Sequence, residues 1–139
     1  MKKNKINSLL IISLISLLIF SYVFLGDFFR KQTMNRPIYR VGKLSKIEFI
    51  GKNSSDWLYF KYTIEKKEKE GKVYIKDSEY NYYKNKLGKS YIIGMNNNQI
   101  INNFFLTYRV FMDHPVPDSI KEAPPKGWNK FPEWVPKDK

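Results

Sequence analysis

His114 is the side chain best suited to general acid–base chemistry near neutral pH, and it lies in the tripeptide Asp113-His114-Pro115. The carboxylate of Asp113 could orient the imidazole ring for such a role. Catalysis would also need a nucleophile or a substrate pocket, and no serine lies in a strained elbow motif. A lone histidine beside a proline is more typical of a loop, so the sequence predicts no catalytic residue.

Metal-binding residues are also sparse. Glu65, Glu68 and Glu70 are close together, but lysines alternate with them and would neutralise a cation site. The sequence has no cysteine, which excludes disulfides, thiol nucleophiles and thiolate metal sites. We therefore predict no metal ion and no cofactor, and we interpret the glutamates as part of a solvated hairpin tip.

Aromatic and basic residues that could contact a partner occur in two stretches of alternating sequence. Exposed rings can stack on planar or ring-shaped ligands, and the amides of residues 96–99 could hydrogen-bond a sugar or a peptide. Cross-strand pairs that only stabilise a sheet would give the same pattern. The candidate partner-binding surface consists of Trp57, Tyr59, Lys61, Lys72, Tyr74 and Lys76.

The net charge of +12 raises the question of nucleic acid. Lysine outnumbers arginine 21 to 4, whereas proteins that bind nucleic acid usually favour arginine for bidentate contacts. We therefore interpret the charge as a matter of overall composition and a solvated face, and we predict no nucleic-acid partner, which a membrane-tethered domain outside the cytoplasm would not meet. A further hypothesis is that lysines on one sheet face hold the domain on anionic lipid: Lys43, Lys46, Lys52, Lys61, Lys72 and Lys76.

Residues 38–112 are predicted to form the small β-rich domain that positions these side chains. The first strand covers 38–51 and has a bulge, because Leu44 breaks the parity of its apolar residues. The second strand shows strict alternation with Leu58, Phe60, Tyr62 and Ile64 on one face. A hairpin with Gly71 in its turn leads to the third strand, whose inward residues are Val73 and Ile75.

A short helix over 78–88 is predicted next, capped by Ser78 and ended by Gly88, with Tyr83 and Leu87 packed on the sheet. Residues 89–95 and 100–108 complete the set as strands four and five. Five strands and one short helix favour a barrel of the SH3-like or oligonucleotide-binding (OB-like) type. Residues 113–139 form a proline-rich tail that either wraps the barrel or remains mobile. Its aromatic residues recur at three-residue spacing: Trp128, Phe131 and Trp134.

The apolar run from Ile6 to Leu25 predicts a transmembrane signal anchor over 6–26. At about 1.5 Å per residue, a helix of this run covers a hydrocarbon core of roughly 30 Å. A short basic tail, 1–5, precedes the anchor and a juxtamembrane linker, 27–37, follows it. Bulky residues precede Gly26, which argues against a cleaved signal peptide. The residues predicted to contact the lipid bilayer include Ile6, Leu10, Leu14, Leu18 and Leu25.

The basic residues flanking the anchor are nearly balanced, so the positive-inside rule gives little preference. A very short tail with three lysines usually stays in the cytoplasm. We therefore expect a bacterial cell (inner) membrane protein with its C-terminal domain outside the cytoplasm.

Several short sequence motifs resemble those of a group of uncharacterised small membrane-anchored proteins from low-GC bacteria. The first motif is Tyr59 to Ile64 with Gly71-Lys72, and the second is Leu87 to Ile93 with a turn at 96–98. The third is the stretch 115–120, which reads PVPDSI. The turn departs from the group's pattern, because asparagines stand in place of the usual prolines. The resemblance implies a single N-terminal helix and a small β-barrel-like domain of unknown function, and it implies no activity.

The function that these observations favour is non-catalytic: a membrane-anchored protein that binds a protein or envelope partner. Two alternatives remain open at this point. One is an enzyme or enzyme accessory that acts through the loop around His114. The other is an immunity-type protein that blocks a toxin at the membrane.

Overall fold

A single long helix begins the chain in the computed structural model, which describes residues 2–51 and 55–134. Helix α1 spans Lys2–Asn35, is long and apolar enough to cross a membrane, and leaves the large apolar side chains of the run exposed. It continues through most of the segment predicted as a linker, because residues 27–35 contain no glycine or proline. An ion pair of 3.0 Å between Lys31 and Asp27 lies along this part. The helix ends just before Pro37, which disfavours helical geometry in the residue before it.

Five strands follow and form one antiparallel sheet in the order β3-β2-β1-β4-β5. The prediction of an N-terminal helix plus a small mainly-β domain is confirmed. The strands are β1 (Ile38–Glu48), β2 (Ser55–Ile64), β3 (Lys67–Lys76), β4 (Ser90–Met95) and β5 (Arg109–Pro115).

The sheet is open, so the prediction of an SH3-like or OB-like barrel is wrong. Strands β3 and β5 are its two edges, and no strand pairing joins them in the described part of the chain. The sheet is nevertheless curled. The hydroxyl of Tyr62 on β2 lies 2.9 Å from that of Tyr108, just before β5, although two strands separate β2 from β5 in the sheet. Side chains thus connect the two halves of the sheet where a barrel would have a hydrogen-bond ladder.

The predicted fifth strand over 100–108 is also wrong, because most of this segment is helical. Helix α3 spans Gln99–Phe105, and the side chain of Asn98 caps it by accepting hydrogen bonds from the N–H groups of Ile100 and Ile101. Asn102 and Phe105, three residues apart, are its buried residues. The last strand therefore starts at Arg109, and its pairing with β4 leaves β3 unpaired on its far side.

The β1–β2–β3 meander largely follows the sequence pattern. The predicted bulge is confirmed, since the β1–β2 register shifts between Leu44 and Lys46. The predicted hairpin is present, but its turn is Glu65-Lys66, two non-glycine residues with positive φ. Gly71 lies inside β3, opposite Phe60, where a Cβ atom would come within 2.5 Å of the Phe60 ring. Close packing, and not a turn, therefore requires this glycine.

The predicted helix over 78–88 is shorter in the structure. A 3₁₀ turn at Asp77–Glu79 leads into α2, Tyr80–Lys84. Ser78 is not the cap of α2, since Glu79 occupies that position. Tyr83 and Leu87 do pack against the core, as predicted.

Each face of the sheet buries a separate apolar cluster. The inner face carries the larger cluster, whose most buried members are Leu44, Leu58, Phe60, Ile93 and Met95. The opposite face carries a smaller cluster of Val41, Ile92 and Val116, with aromatic residues packed around it. We call this opposite side the outer side of the sheet.

The proline-rich tail wraps the sheet, which answers the question that its sequence left open. Its first three residues belong to β5, and residues 116–134 return across the outer side of β4 and β1. Trp128 forms two backbone hydrogen bonds with Tyr39, of 2.8 and 3.0 Å. The guanidinium of Arg40 donates to the carbonyls of Pro124 and Pro125, at 3.3 and 2.8 Å. The tail therefore covers half of the outer side and leaves the β2–β3 half open.

Candidate functional site

The six residues of the candidate partner-binding surface lie together on the open half of the outer side. The β2–β3 register places Trp57 opposite Tyr74, Tyr59 opposite Lys72, and Ser55 opposite Lys76. Alternation along each strand puts these side chains on one face, away from the inner core. We call this surface the outer face: Trp57, Tyr59, Lys61, Lys72, Tyr74 and Lys76.

An aromatic stack lies at the centre of the outer face. The rings of Trp57 and Tyr74 are 3.6 Å apart between centroids, with an interplanar angle of 26°. The ammonium of Lys72 lies 4.1 Å from the Trp57 ring, which is consequently half-buried. Tyr74 is 61% exposed and is the ring that offers most of its surface to a ligand. Trp57 thus supports Tyr74, and Tyr74 is the better candidate for direct contact.

Tyr59 is held by its neighbours on β1. Its hydroxyl donates a 2.9 Å hydrogen bond to a carboxylate oxygen of Glu48, and Lys46 lies 4.4 Å from its ring centroid. The hydrogen bond to Glu48, with a smaller contribution from burial, raises the pKa of Tyr59. The phenol therefore remains protonated in neutral solution and keeps donating to Glu48, so this corner of the outer face carries an acidic side chain as well as its lysines.

A groove of about 660 Å³ runs between the outer face and the tail. Lys43 and Lys61 line one wall, and the other wall carries Asp118 and Lys121 of the tail. Lys61 also forms a 3.1 Å ion pair with Glu68. The groove extends the outer face toward the tail, and together they form a shallow, mainly basic surface.

The other candidates from the sequence lie around this surface or on the same side of the sheet, and Glu70 is the cross-strand partner of Lys61. Glu65 and Glu70 are exposed near the hairpin end, and no group of three acidic, histidine or cysteine residues could hold a metal ion within 2–51 and 55–134. Lys43, Lys46, Lys61, Lys72 and Lys76 share the outer side of the sheet, whereas Lys52 lies outside the described residues.

His114 belongs to the packing between β5 and the tail. It is 8% exposed, and its ring centroid lies 4.6 Å from that of Phe131 and 6.2 Å from that of Phe111. Within the described chain its Nδ1 has no hydrogen-bond partner, so Asp113 does not orient the ring. The imidazole is thus enclosed by aromatic rings, an arrangement that favours a packing role over proton transfer to a substrate.

A second contact surface, absent from the sequence predictions, joins α1 to α3. Among residues 4–35 of α1, Gly26 and Thr33 are the buried ones. A Cβ atom on Gly26 would lie 3.4 Å from the ring of Phe105, and the Thr33 hydroxyl accepts a 3.0 Å hydrogen bond from Asn96. The glycine at the end of the apolar run and the Asn98 cap were the available sequence signals. The long helix is therefore packed against the domain.

Beside this junction, a groove of about 300 Å³ opens between α1 and the sheet. Arg30 of α1 and Arg109 of β5 both line it, together with the apolar side chains of Met34 and Leu106. Among the described residues neither arginine forms an ion pair with a carboxylate.

Comparison of the chain with models of protein families, with curated proteins and with solved structures gives no match.

Proposed function

We propose that this chain is a single-pass membrane-anchored binding protein whose outer face contacts a negatively charged partner. The partner is a protein or a polymer of the bacterial envelope. The observation that carries the proposal is the exposed ring of Tyr74, stacked on Trp57 and bordered by Lys72 and Lys76. Aromatic rings that are fixed in place lose little conformational entropy on binding, which makes them effective anchors.

The charge of the outer face supports an anionic partner. Lys72 and Lys76 form no ion pair among the described residues, whereas Lys61 is paired with Glu68. The whole chain carries a net charge of +12. A positive surface speeds association with a negative partner and makes the association sensitive to salt.

Photo-crosslinking in cells tests this proposal. A photoreactive phenylalanine analogue in place of Tyr74 should give a discrete crosslinked adduct, which mass spectrometry then identifies. Tyr82 on α2, 50% exposed, provides a matched control site away from the outer face. The double substitution K72E/K76E should weaken the Tyr74 adduct. Equal adducts at both sites, or an adduct unaffected by charge reversal, would contradict the assignment.

The proposed address is the bacterial cell membrane, with the β domain outside the cytoplasm. The length and apolar character of α1 support the anchor, and the short lysine-containing segment before the apolar run supports this orientation. Protease added to intact spheroplasts should remove the domain and leave α1 in the membrane fraction. Full protection of the domain, in cells whose periplasmic control protein is digested, would reverse the orientation.

A further inference from the structure

Helix α3 exposes large apolar side chains on its outward side. Ile100 is 77% exposed and Phe104 is 61% exposed, and their spacing of four residues puts them on the same side of the helix. Two such side chains on so short a helix expose apolar surface that water does not favour.

The sequence around α3 is also free of charge. Residues 90–108 contain no Asp, Glu, Lys or Arg, in a chain in which 27% of residues are charged. Charged side chains are the costliest to place at the depth of the hydrocarbon. The segment from 99 to 106 thus combines exposed apolar side chains with an absence of charge.

The position of this segment along α1 gives its depth relative to a membrane. The ring of Phe104 lies 5.5 Å from that of Tyr22, and the ring of Phe105 lies 5.3 Å from Tyr22 and 5.1 Å from Phe29. Tyr22 belongs to the apolar run, three residues before its end at Leu25. If the run fills the hydrocarbon core, Tyr22 lies about 4.5 Å inside the boundary, at about 1.5 Å per residue.

Two carbonyls near the C-terminal end of α3 are hydrogen-bonded in a way that suits a dry environment. The hydroxyl of Tyr22 donates a 2.9 Å hydrogen bond to the carbonyl of Phe104. The N–H of Leu106, which has a left-handed conformation, donates a 2.8 Å bond to the carbonyl of Asn102. Carbonyls at a helix end lack intrahelical partners and are costly to place in lipid when they stay unpaired.

We propose that the 99–106 segment inserts into the surface of the same bilayer that α1 spans, with lipid acyl chains covering Ile100 and Phe104. The inference rests on the proposed membrane anchor. Continuity with α1 identifies lipid as the occupant, because the exposed ring of Phe104 lies beside Tyr22 in the apolar run. Arg30 is placed for the adjacent headgroups, since its guanidinium folds back to within 3.4 Å of the Cβ position of Gly26.

Spin labelling of the full chain in lipid nanodiscs tests the proposal. The sequence has no cysteine, so a single introduced cysteine carries the only label. Labels at I100C and F104C report on the segment, F20C reports on the anchor, and Y82C serves as the water-exposed control. Nanodiscs of phosphatidylethanolamine and phosphatidylglycerol are used, and collisions with oxygen are compared with collisions with a water-soluble nickel complex.

Insertion predicts that labels at residues 100 and 104 collide more with oxygen and at least fivefold less with nickel than the label at 82. A nickel accessibility equal to that at 82, with the label at 20 embedded, would overturn the insertion and leave the anchor intact. Protection at 100 and 104 from both reagents would indicate that protein, such as a second copy of the chain, covers these side chains, and would also overturn the insertion. Nickel access at residue 20 would refute the anchor itself. If F104C perturbs folding, the label at I100C still reports whether the segment is inserted.

Discussion

At the scale of single residues, the buried side chains of Tyr62 and Tyr108 connect the two halves of the open sheet. Tyr62 donates to Gln99, and the single hydroxyl proton of Tyr108 lies between the Tyr62 hydroxyl at 2.9 Å and the amide oxygen of Asn103 at 3.1 Å. Burial raises the pKa of both phenols. The shared hydrogen bond further raises the pKa of Tyr108, whereas it and the charge of Arg40 oppose the increase at Tyr62. Both rings therefore contribute to stability as neutral phenols.

Alkaline pH should destabilise the domain through this pair. Above pH of about 10 the tyrosines of the unfolded chain lose protons, whereas the folded pair stays protonated. The folded state then binds more protons than the unfolded state, so the free energy of unfolding falls as pH rises. Thermal denaturation of the full chain in detergent, between pH 7 and 11, measures this slope.

The substitution Y108F isolates the effect. It should cost about 1 kcal/mol at neutral pH through the lost hydrogen bond and should reduce the alkaline slope. Y82F, at an exposed ring, should leave both values unchanged. Parallel slopes for wild type and Y108F would show that other groups, such as lysines, govern alkaline unfolding.

The close packing of Gly71 against Phe60 predicts that a side chain at position 71 lowers the stability of the domain. In G71A the added Cβ would lie 2.5 Å from Cζ of Phe60, a ring that is fully buried and cannot move aside. We expect a loss of about 1–3 kcal/mol in the free energy of unfolding, measured by urea denaturation. The exposed neighbour substitution E70A is the control. F60L should be less costly in the G71A background than in wild type, and strictly additive costs would contradict the proposed clash.

At the scale of elements, the tail depends on a few fixed contacts with β1. Gly127 has a φ of 71°, and a side chain there would collide with Ile38, so only glycine permits this approach. Arg40 is buried and its guanidinium binds the two proline carbonyls of the tail. Burial lowers the pKa of Arg40, partly offset by Tyr62 and Glu65. The guanidinium nevertheless stays charged at physiological pH because its ordinary pKa is so high.

The substitution R40M should release the tail without unfolding the sheet. Loss of hydrogen bonds from a charged donor costs about 1.5–3 kcal/mol, which corresponds to roughly a 10- to 100-fold increase in the open population of the tail. Chymotrypsin should cleave after Trp128 faster by a similar factor, as measured by mass spectrometry. R36M removes an exposed arginine just after the end of α1 and should have little effect. An unchanged cleavage rate in R40M would show that aromatic packing alone holds the tail.

The elements that could be predicted from the sequence are those with local signals. Strict alternation from Leu58 to Ile64 predicted β2, and the broken parity at Leu44 predicted the bulge in β1. The predicted strand over 100–108 is wrong, because its paired apolar residues fit both a strand and a helix and the Asn98 cap favours the helix. The open sheet, the place of the tail and the burial of His114 depend on distant contacts, which local patterns do not contain.

At the scale of the whole molecule, α1 is part of the β domain as well as its proposed anchor. Gly26 allows Phe105 to approach α1, and Thr33 binds Asn96 about two turns further along. The domain is therefore attached to the helix over several turns and not only at the point where the chain leaves it.

The substitution G26L should separate α3 from α1. The space at Gly26 accepts a Cβ atom at 3.4 Å from Phe105 but has no room for the branched end of leucine. The spin label at Ile100 should then become at least threefold more accessible to the nickel complex. V23L, on an exposed position of the same helix, is the control, and G26A should behave almost as wild type. Unchanged accessibility in G26L would show that the contact does not hold the segment in place.

The unbroken helix through Asn35 also limits the range of positions that the β domain can occupy relative to α1. A flexible linker over 27–37 would let the domain wander over roughly 18 Å, the root-mean-square reach of an eleven-residue chain. The helix and its contact with α3 remove that freedom, so the outer face keeps a nearly constant orientation to α1 and, with α1 as the proposed anchor, a nearly constant height above the bilayer. A partner fixed in the same envelope layer would meet this face at a raised effective concentration, whereas a partner at another height would rarely meet it.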